Sequence, residues 1–173
     1  LRVHPTLLPS EHPLAAVHDV YNAICITGSA VGETMFYGRG AGQMPTASAV
    51  VSDVVDVLLG KALRAFERLR LFPGRTASLR VKPIGEIETR YYLRFNALDR
   101  PGVLAKIAGE FGRHQISIAS VIQKERHATR AVPLVIMTHK AREANLREAI
   151  SAIEPHGVVE GPPVVIRVEG ELE

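Results

Sequence analysis

One stretch of the chain combines a strand, a tight turn and the start of a helix: Leu93-Arg94-Phe95-Asn96-Ala97-Leu98-Asp99-Arg100-Pro101-Gly102-Val103-Leu104. The apolar residues before the turn predict a strand over 91–97, and Pro101-Gly102 predicts the turn itself. After the turn, apolar residues recur at helical spacing at Val103, Leu104, Ile107, Ala108 and Phe111. The stretch therefore predicts a strand followed directly by an amphipathic helix.

The residues that follow extend this unit to a small domain. The predicted elements are strands at 116–123, 131–138 and 164–168, a charged hairpin at 124–130, and a helix marked by Leu146, Ala149, Ile150 and Ile153. Pro133 indicates an exposed edge or a bulge in its strand. The order βαββαβ predicts a ferredoxin-like, four-stranded antiparallel sheet with both helices on one face.

A second feature is a glycine loop between an apolar strand and an apolar helix: Phe36-Tyr37-Gly38-Arg39-Gly40-Ala41-Gly42-Gln43-Met44-Pro45-Thr46-Ala47-Ser48-Ala49-Val50. Its three glycines lack the Cβ atoms that keep a ligand from the backbone, and Pro45 suits the first turn of a helix. The N–H groups of that turn attract an anion, such as a phosphate or the polar part of a cofactor. A tight turn with close packing explains the same residues, and the sequence alone favours neither interpretation.

The other residues of the first part predict an edge strand at 1–8, a short helix or turn at 12–17, and a hairpin of strands at 21–27 and 33–37. A single long helix is predicted from Pro45 to Leu71, weakened at Gly60 and ended by Phe72-Pro73-Gly74. Its first half is apolar nearly all round, which predicts burial on more than one side, against a part of the protein that this chain lacks.

Residues 73–89 are rich in proline, glycine and charge and predict a linker, with one short strand near 79–81. The predicted fold class is α+β. It consists of a partial domain at 1–72 with a mixed sheet and one long helix, the linker at 73–89, and the βαββαβ domain at 90–170.

Composition disfavours several classes of function. With 173 residues, 46% apolar and 23% charged, the chain is typical of globular proteins, and its net charge of +3 is scattered, which argues against nucleic-acid binding. Cys25 is the only cysteine, so an intrachain disulfide and a metal site built from cysteines are excluded. No apolar run is long enough to span a membrane and no signal peptide is seen, so a cytoplasmic location is expected.

The stretch at 93–104, followed by Ile116-Ser117-Ile118-Ala119-Ser120, closely resembles an ACT domain, the small ligand-sensing module of amino-acid metabolism. The resemblance implies that Asp99 and Ser117 help to hold an amino acid at an interface between paired domains. The helix that begins at Gly102 and Val103 would offer N–H groups to the α-carboxylate, and Asp99 would take the α-ammonium group. A helix cap is the structural alternative for Asp99. The family also contains ACT domains that bind no ligand and only pair subunits.

The first part of the chain resembles the later part of a homoserine dehydrogenase. The most specific motif is the glycine loop with Pro45–Val50 and Asp53. Three further segments share the resemblance: Val3-His4-Pro5-Thr6-Leu7-Leu8-Pro9, Pro13-Leu14-Ala15 and Tyr21-Asn22-Ala23-Ile24. The resemblance implies an enzyme that interconverts aspartate semialdehyde and homoserine with NADP or NAD, followed by an ACT domain for feedback, usually by threonine. It also implies that the glycine loop, through Gly40 and Gly42, lies against the nicotinamide end of the cofactor.

The chain departs from that family in two respects. No strand is followed by Gly-x-Gly-x-x-Gly, because Gly38 and Gly40 are followed at the third position by Gln43. The family's catalytic lysines and substrate carboxylates belong to segments before the point corresponding to Leu1. We therefore expect a C-terminal fragment without catalytic residues of its own, inactive by itself. His12, His18 and Glu33 are interpreted as surface or turn residues.

Two hypotheses follow for the function. The first is a homoserine dehydrogenase fragment that binds an amino-acid effector, with threonine as the expected one, and forms a homo-oligomer through the ACT domain and its sheet. The second is a stand-alone regulatory protein, in which the ACT domain senses an amino acid and the first 70 or so residues pair subunits without catalysis.

Overall fold

The computed structural model describes residues 3–69, 81–123 and 131–170. In chain order the elements are β1 (Thr6–Leu7), β2 (Tyr21–Gly28), β3 (Gly32–Arg39), α1 (Gln43–Leu58), α2 (Lys61–Leu69), β4 (Glu88–Leu98), α3 (Val103–Arg113), β5 (Ile118–Gln123), β6 (Ala131–Thr138), β7 (Ala141–Arg142), α4 (Glu143–Ile153) and β8 (Val164–Val168). Single 3-10 turns lie at Pro13–Ala16, Ile84–Glu86 and Glu154–His156. The chain divides into two units, Leu1–Pro9 with Val81–Glu173, and Ser10–Arg80.

The larger unit has the strand order β1-β8-β4-β6-β5, with β7 pairing the start of β4. All of its pairings are antiparallel except that of β1 with β8. Alternate residues of β4 and β6 point into one apolar core, against both long helices, because period-2 alternation sends every second side chain to the same face. The largest fully buried side chains of this core are Tyr91, Leu93, Phe95, Ile107, Phe111, Leu134, Ile136, Leu146 and Ile153. Both helices contribute to this cluster, which confirms that they share one face of the sheet.

Strand β1 adds a parallel fifth strand to the predicted four-stranded sheet. Thr6 and Leu7 lie opposite Arg167 and Val168 of β8. The chain from Val81 to Ile87, predicted as linker, also belongs to this unit, since Gly85 packs against Ala144 of α4. The two structural units thus have other limits than the sequence-based boundaries at 72 and 89. The reason is that residues 3–9 and 81–87 both pack on the βαββαβ domain.

The smaller unit consists of the β2–β3 hairpin and two helices. The hairpin follows the prediction closely, with Tyr21 opposite Arg39 and Gly28 opposite Gly32. The single long helix expected from the sequence is divided into α1 and α2, because Gly60 has a φ of +64° and interrupts the helical backbone. The predicted helix end at 72–74, the strand near 79–81 and the hairpin at 124–130 lie wholly or mainly outside the described residues.

Helix α1 carries an exposed apolar surface. None of its residues is buried within this chain, and the sequence predicts burial against a part of the protein that this chain lacks. The exposed fractions of its large apolar side chains range from 44% at Val55 to 80% at Leu58. Exposed apolar patches of this kind mark surfaces that another part of a protein covers. The bare apolar face is the one that the sequence predicts when the part of the protein that covers α1 lies outside this chain.

A buried polar cluster joins α4 to two strands. Glu143 is 6% exposed and its carboxylate accepts hydrogen bonds from Tyr91 Oη at 3.0 Å, Arg167 Nη2 at 2.6 Å and Arg147 Nη2 at 2.9 Å. Burial alone would raise the pKa of Glu143, but these three donors hold it below its ordinary value. Burial and the neighbouring carboxylate also raise the pKa of the Tyr91 hydroxyl.

Pro133 lies in an interior strand, so the expectation of an edge strand is wrong. It occupies β6, opposite Asn96 of β4, and β5 covers the other side of β6 as far as Leu134. Proline is tolerated there because it lies one residue beyond the last described pair of β5 and β6. The bulge in this pairing occurs elsewhere, between Ile118 and Ser120 of β5.

Candidate functional site

The glycine loop connects β3 directly to α1. Gly42 is the residue before the helix and has a φ of +126°, which only glycine adopts without strain. Pro45 lies in the first turn, as predicted, and Thr46 N–H donates to Gly42 O at 3.1 Å. Residues 38–42 are all exposed. The loop thus presents its backbone and the amino-terminal end of a sixteen-residue helix to solvent, which favours an anionic or polar ligand group.

Gly40 lies close to the exposed Asn22 side chain, whose amide would have to move to admit a Cβ atom. A Cβ atom at this position would lie 1.7 Å from Asn22 Nδ2, and Gly40 N–H donates to Val20 O at 2.8 Å. On the adjoining hairpin, the Tyr21 and Tyr37 rings stack with centroids 4.9 Å apart, and the Arg39 guanidinium lies 5.5 Å from the Tyr21 ring centre. The loop is therefore held to the hairpin on both sides of its central glycine.

We expect Gly42→Ala to destabilise the smaller unit by about 1–3 kcal/mol, since alanine at this positive φ is strained. The matched control is Gly38→Ala, because a Cβ at Gly38 meets nothing within 4 Å and its φ is not positive. Urea unfolding followed by circular dichroism measures both variants. Equal stabilities for the two variants would contradict the backbone assigned to Gly42.

The predicted effector turn lies between β4 and α3. Gly102 precedes α3 with a left-handed φ of +86° and, as a glycine, offers no side chain to cap the helix. The Asp99 carboxylate accepts a hydrogen bond from Gln123 Nε2 at 3.3 Å, which links the turn to the end of β5. The Val103 side chain is buried in the core, and its N–H donates to Arg100 O at 3.3 Å. Asp99 and the exposed Gly102 are thus the accessible members of this turn.

Ser117 lies at the other end of the sheet from this turn. The neighbouring Ile118 pairs with Thr138 of β6, whereas Leu98 pairs with Ala131 at the opposite end of the same strand. At about 3.3 Å per residue these two levels are about 23 Å apart. Within one copy of the chain, therefore, Asp99 and Gly102 lie together and Ser117 does not join them.

The two histidines, the glutamate and the cysteine singled out from the sequence do not form a site. His12 Nδ1 accepts a hydrogen bond from Leu14 N–H at 3.1 Å and so caps the first 3-10 turn, while His18 and Glu33 are exposed. Burial, and then the nearby Glu33 carboxylate, raise the pKa of Cys25. The thiol is thereby disfavoured as a nucleophile. No described helix is long and apolar enough to cross a membrane.

A cavity that sequence reasoning missed lies in the larger unit. It measures about 410 Å³ and is lined by Phe95, Ile150, Ile153, Glu154, Val159, Gly161, Pro162 and Pro163. Its apolar residues are ordinary core residues in the sequence pattern. Only the proline pair before β8 could have marked a concave surface there.

Two family profiles match the chain. The profile described as "Homoserine dehydrogenase" matches residues 1–55, and the profile described as "ACT domain" matches residues 91–156. Among curated proteins, homoserine dehydrogenase of Pseudomonas aeruginosa is 43% identical over 173 residues, covering 98% of this chain and 40% of the relative. Homoserine dehydrogenase of Mycobacterium bovis is 42% identical, covering 98% of this chain and 38% of the relative.

Solved structures give the same result. The crystal structure of a homoserine dehydrogenase from Thiobacillus denitrificans matches with a TM-score of 0.78 and 38% identity, covering 97% of this chain and 38% of that one. A Staphylococcus aureus homoserine dehydrogenase matches with a TM-score of 0.54 and 30% identity, covering 96% of this chain and 37% of that one. The chain spans about 40% of the length of the curated relatives it matches. Residues 1–55 therefore match the homoserine dehydrogenase family, and residues 91–156 match the ACT domain.

Proposed function

We propose that this chain is part of an enzyme that interconverts L-homoserine and L-aspartate 4-semialdehyde with NADP or NAD. The observation that carries the proposal is the 43% identity to a homoserine dehydrogenase along nearly the whole chain. The glycine loop supports it, because Gly40 and Gly42 belong to an exposed loop at the start of α1, where the nicotinamide end of the cofactor would lie. A cytoplasmic location is part of the proposal.

The exposed face of α1 supports a larger enzyme. Since the chain spans only about 40% of its relatives' length, we propose that the remainder supplies the nucleotide-binding unit and the catalytic groups and covers Val50, Val54 and their neighbours. The chain alone is then inactive. We also propose the domain limits 1–72, 73–89 and 90–170 for the evolutionary units, with β1 paired to the ACT sheet.

For the ACT domain we propose an amino-acid effector, with L-threonine as the first to test. In this proposal Asp99 binds the α-ammonium group, and the amino-terminal end of α3 after Gly102 receives the α-carboxylate. Because the Val103 N–H already donates to Arg100 O, the N–H groups that follow Val103 in this helix end would receive the carboxylate. The hydrogen bond from Gln123, the last residue of β5, places the carboxylate of Asp99 close to an exposed strand edge.

A second copy of the chain would complete this site. Among the described strands, β5 is an open edge, whereas β1 covers the edge of β8. Antiparallel pairing of two β5 strands brings the start of one beside the end of the other. Ser117 of one copy would then lie beside Gln123, and hence Asp99, of its partner. This supports a homo-oligomer in which each effector site contains residues of two copies.

We expect saturable heat on titrating L-threonine onto the chain, and at least tenfold weaker binding by either Asp99→Asn or Ser117→Ala. The first variant loses the negative charge opposite the α-ammonium group, and the second loses a hydrogen bond to a charged ligand. The decisive sample is an equal mixture of the two variants, dissociated and reassociated. In a mixed dimer one site combines the intact Asp99 of one copy with the intact Ser117 of the other. Binding should therefore return at that site.

The exposed variant Glu148→Gln, whose residue lies on the outer part of α4, serves as the control and should bind like the unaltered chain. A mixture that binds as poorly as each variant alone would contradict a site shared between copies. A flat titration of the unaltered, folded dimer would contradict the effector proposal itself.

A further inference from the structure

One segment belongs to different parts of the protein by sequence and by structure. Residues 3–9 fall within the match to the homoserine dehydrogenase profile, which covers residues 1–55. In the structure they join the unit that contains the ACT domain. The dehydrogenase part of the sequence thus contributes strand β1 to the regulatory sheet, and Ser10, the next residue, begins the other unit.

The contacts of β1 are made by backbone and by close packing. Thr6 and Leu7 pair with Arg167 and Val168 of β8, and Glu169 N–H donates to Leu7 O at 3.0 Å. A Cβ atom at Gly170 would lie 3.1 Å from two ring carbons of Pro9, and the φ of Gly170 is +94°. The residues that follow β8 therefore pack tightly against the segment around β1.

The same strand is connected to the proposed effector turn through the sheet. Strand β8 pairs along β4 from Arg90 to Arg94, and β4 ends at Leu98, next to Asp99. Arg167, which lies opposite Thr6, is held by Glu143 at 2.6 Å and so ties β8 to α4. A displacement of β4 or α4 on effector binding would consequently reach β1 through hydrogen-bonded and ion-paired elements.

We propose that β1 is the strand through which effector binding at the ACT domain alters the dehydrogenase part. This inference rests on the proposed function. Effector binding shifts the β8 edge, β1 moves with it, and the chain after Pro9 transmits the change to the segment that leads to the hairpin and the glycine loop. The pairing is only two residues long, so its loss leaves the ACT core intact.

The test uses the complete protein that contains this chain, with L-threonine as the probe. Glu169→Pro removes the N–H that donates to Leu7 O, whereas Glu169→Ala keeps that N–H and changes only an exposed side chain. We expect the proline variant to bind threonine as the unaltered protein does, while the threonine concentration for half-inhibition rises by a factor in the range of roughly 5–150. The alanine variant should be inhibited normally.

Inhibition of the proline variant at the unaltered threonine concentration would overturn the proposal. Loss of threonine binding in that variant would also overturn it, because β1 would then belong to the binding site. An active complete enzyme that threonine does not inhibit would overturn it as well. A second readout is independent of dehydrogenase activity: hydrogen exchange of the Glu169 amide in this chain, which threonine should slow or accelerate. An unchanged exchange rate at saturating threonine would contradict the coupling even if the dehydrogenase assignment failed.

Discussion

Glu143→Gln should destabilise the ACT unit by about 3–5 kcal/mol, because it leaves the partly buried Arg167 without its ion-pair partner. Glutamine keeps the size of the side chain and can still accept a hydrogen bond from Tyr91. The decrease in the free energy of unfolding therefore measures the loss of the charge and not the opening of a cavity. The measurement is urea unfolding of the chain followed by circular dichroism. The control is Arg147→Ala, which removes the exposed partner and should cost about 1 kcal/mol or less.

The pH dependence of this variant has a defined sign. The folded pKa of Glu143 is lowered, so its charged interactions stabilise the fold above the ordinary pKa and are lost as the pH falls through the folded value. The difference between the unaltered chain and Glu143→Gln should therefore be full near neutral pH and shrink below about pH 4.5. A difference that grows on acidification would contradict the arrangement around Glu143.

Phe111→Ala should be equally costly, about 3–5 kcal/mol, because Phe111 is completely buried and its removal leaves a cavity. Its ring lies 6.3 Å from that of Phe95, in a tilted contact between α3 and β4. The same unfolding measurement applies. Leu104→Ala is the matched control on the same helix, since Leu104 is 42% exposed, and it should cost much less. Equal losses at both positions would mean that α3 presents a different face to the sheet.

Local patterns predicted the fold of the ACT unit well. The strands at 131–138 and 164–168 agree with the structure to the residue, because both are short apolar runs rich in β-branched residues, which is typical of buried strands. The break at Gly60 was harder to predict, since the apolar spacing continues through it and the positive φ is visible only in the backbone. The pairing of β1 with β8 joins residues about 160 positions apart. Such a parallel contact leaves no local signature in either strand.

The candidate sites were predicted in part. The Asp99 to Gly102 turn was correctly placed before α3 because proline and glycine mark it directly. The distance of Ser117 from this turn follows from the sheet register, which a one-dimensional pattern does not contain. The Glu143 cluster was missed, because a glutamate followed by an arginine four residues later is usually a solvated pair on a helix surface. Here β4 and β8 bury Glu143, so that its ion pairs hold α4 to the sheet.

The most direct test of the account is a steady-state assay of the complete protein that contains this chain. L-Homoserine is supplied with NADP or with NAD, and reduction of the nicotinamide is followed by absorbance, with and without L-threonine. The account predicts homoserine-dependent reduction with at least one cofactor, inhibition by threonine, and no activity from residues 1–173 alone. A folded complete protein that binds threonine but shows no homoserine-dependent reduction with either cofactor would contradict it and favour a regulatory protein without catalysis.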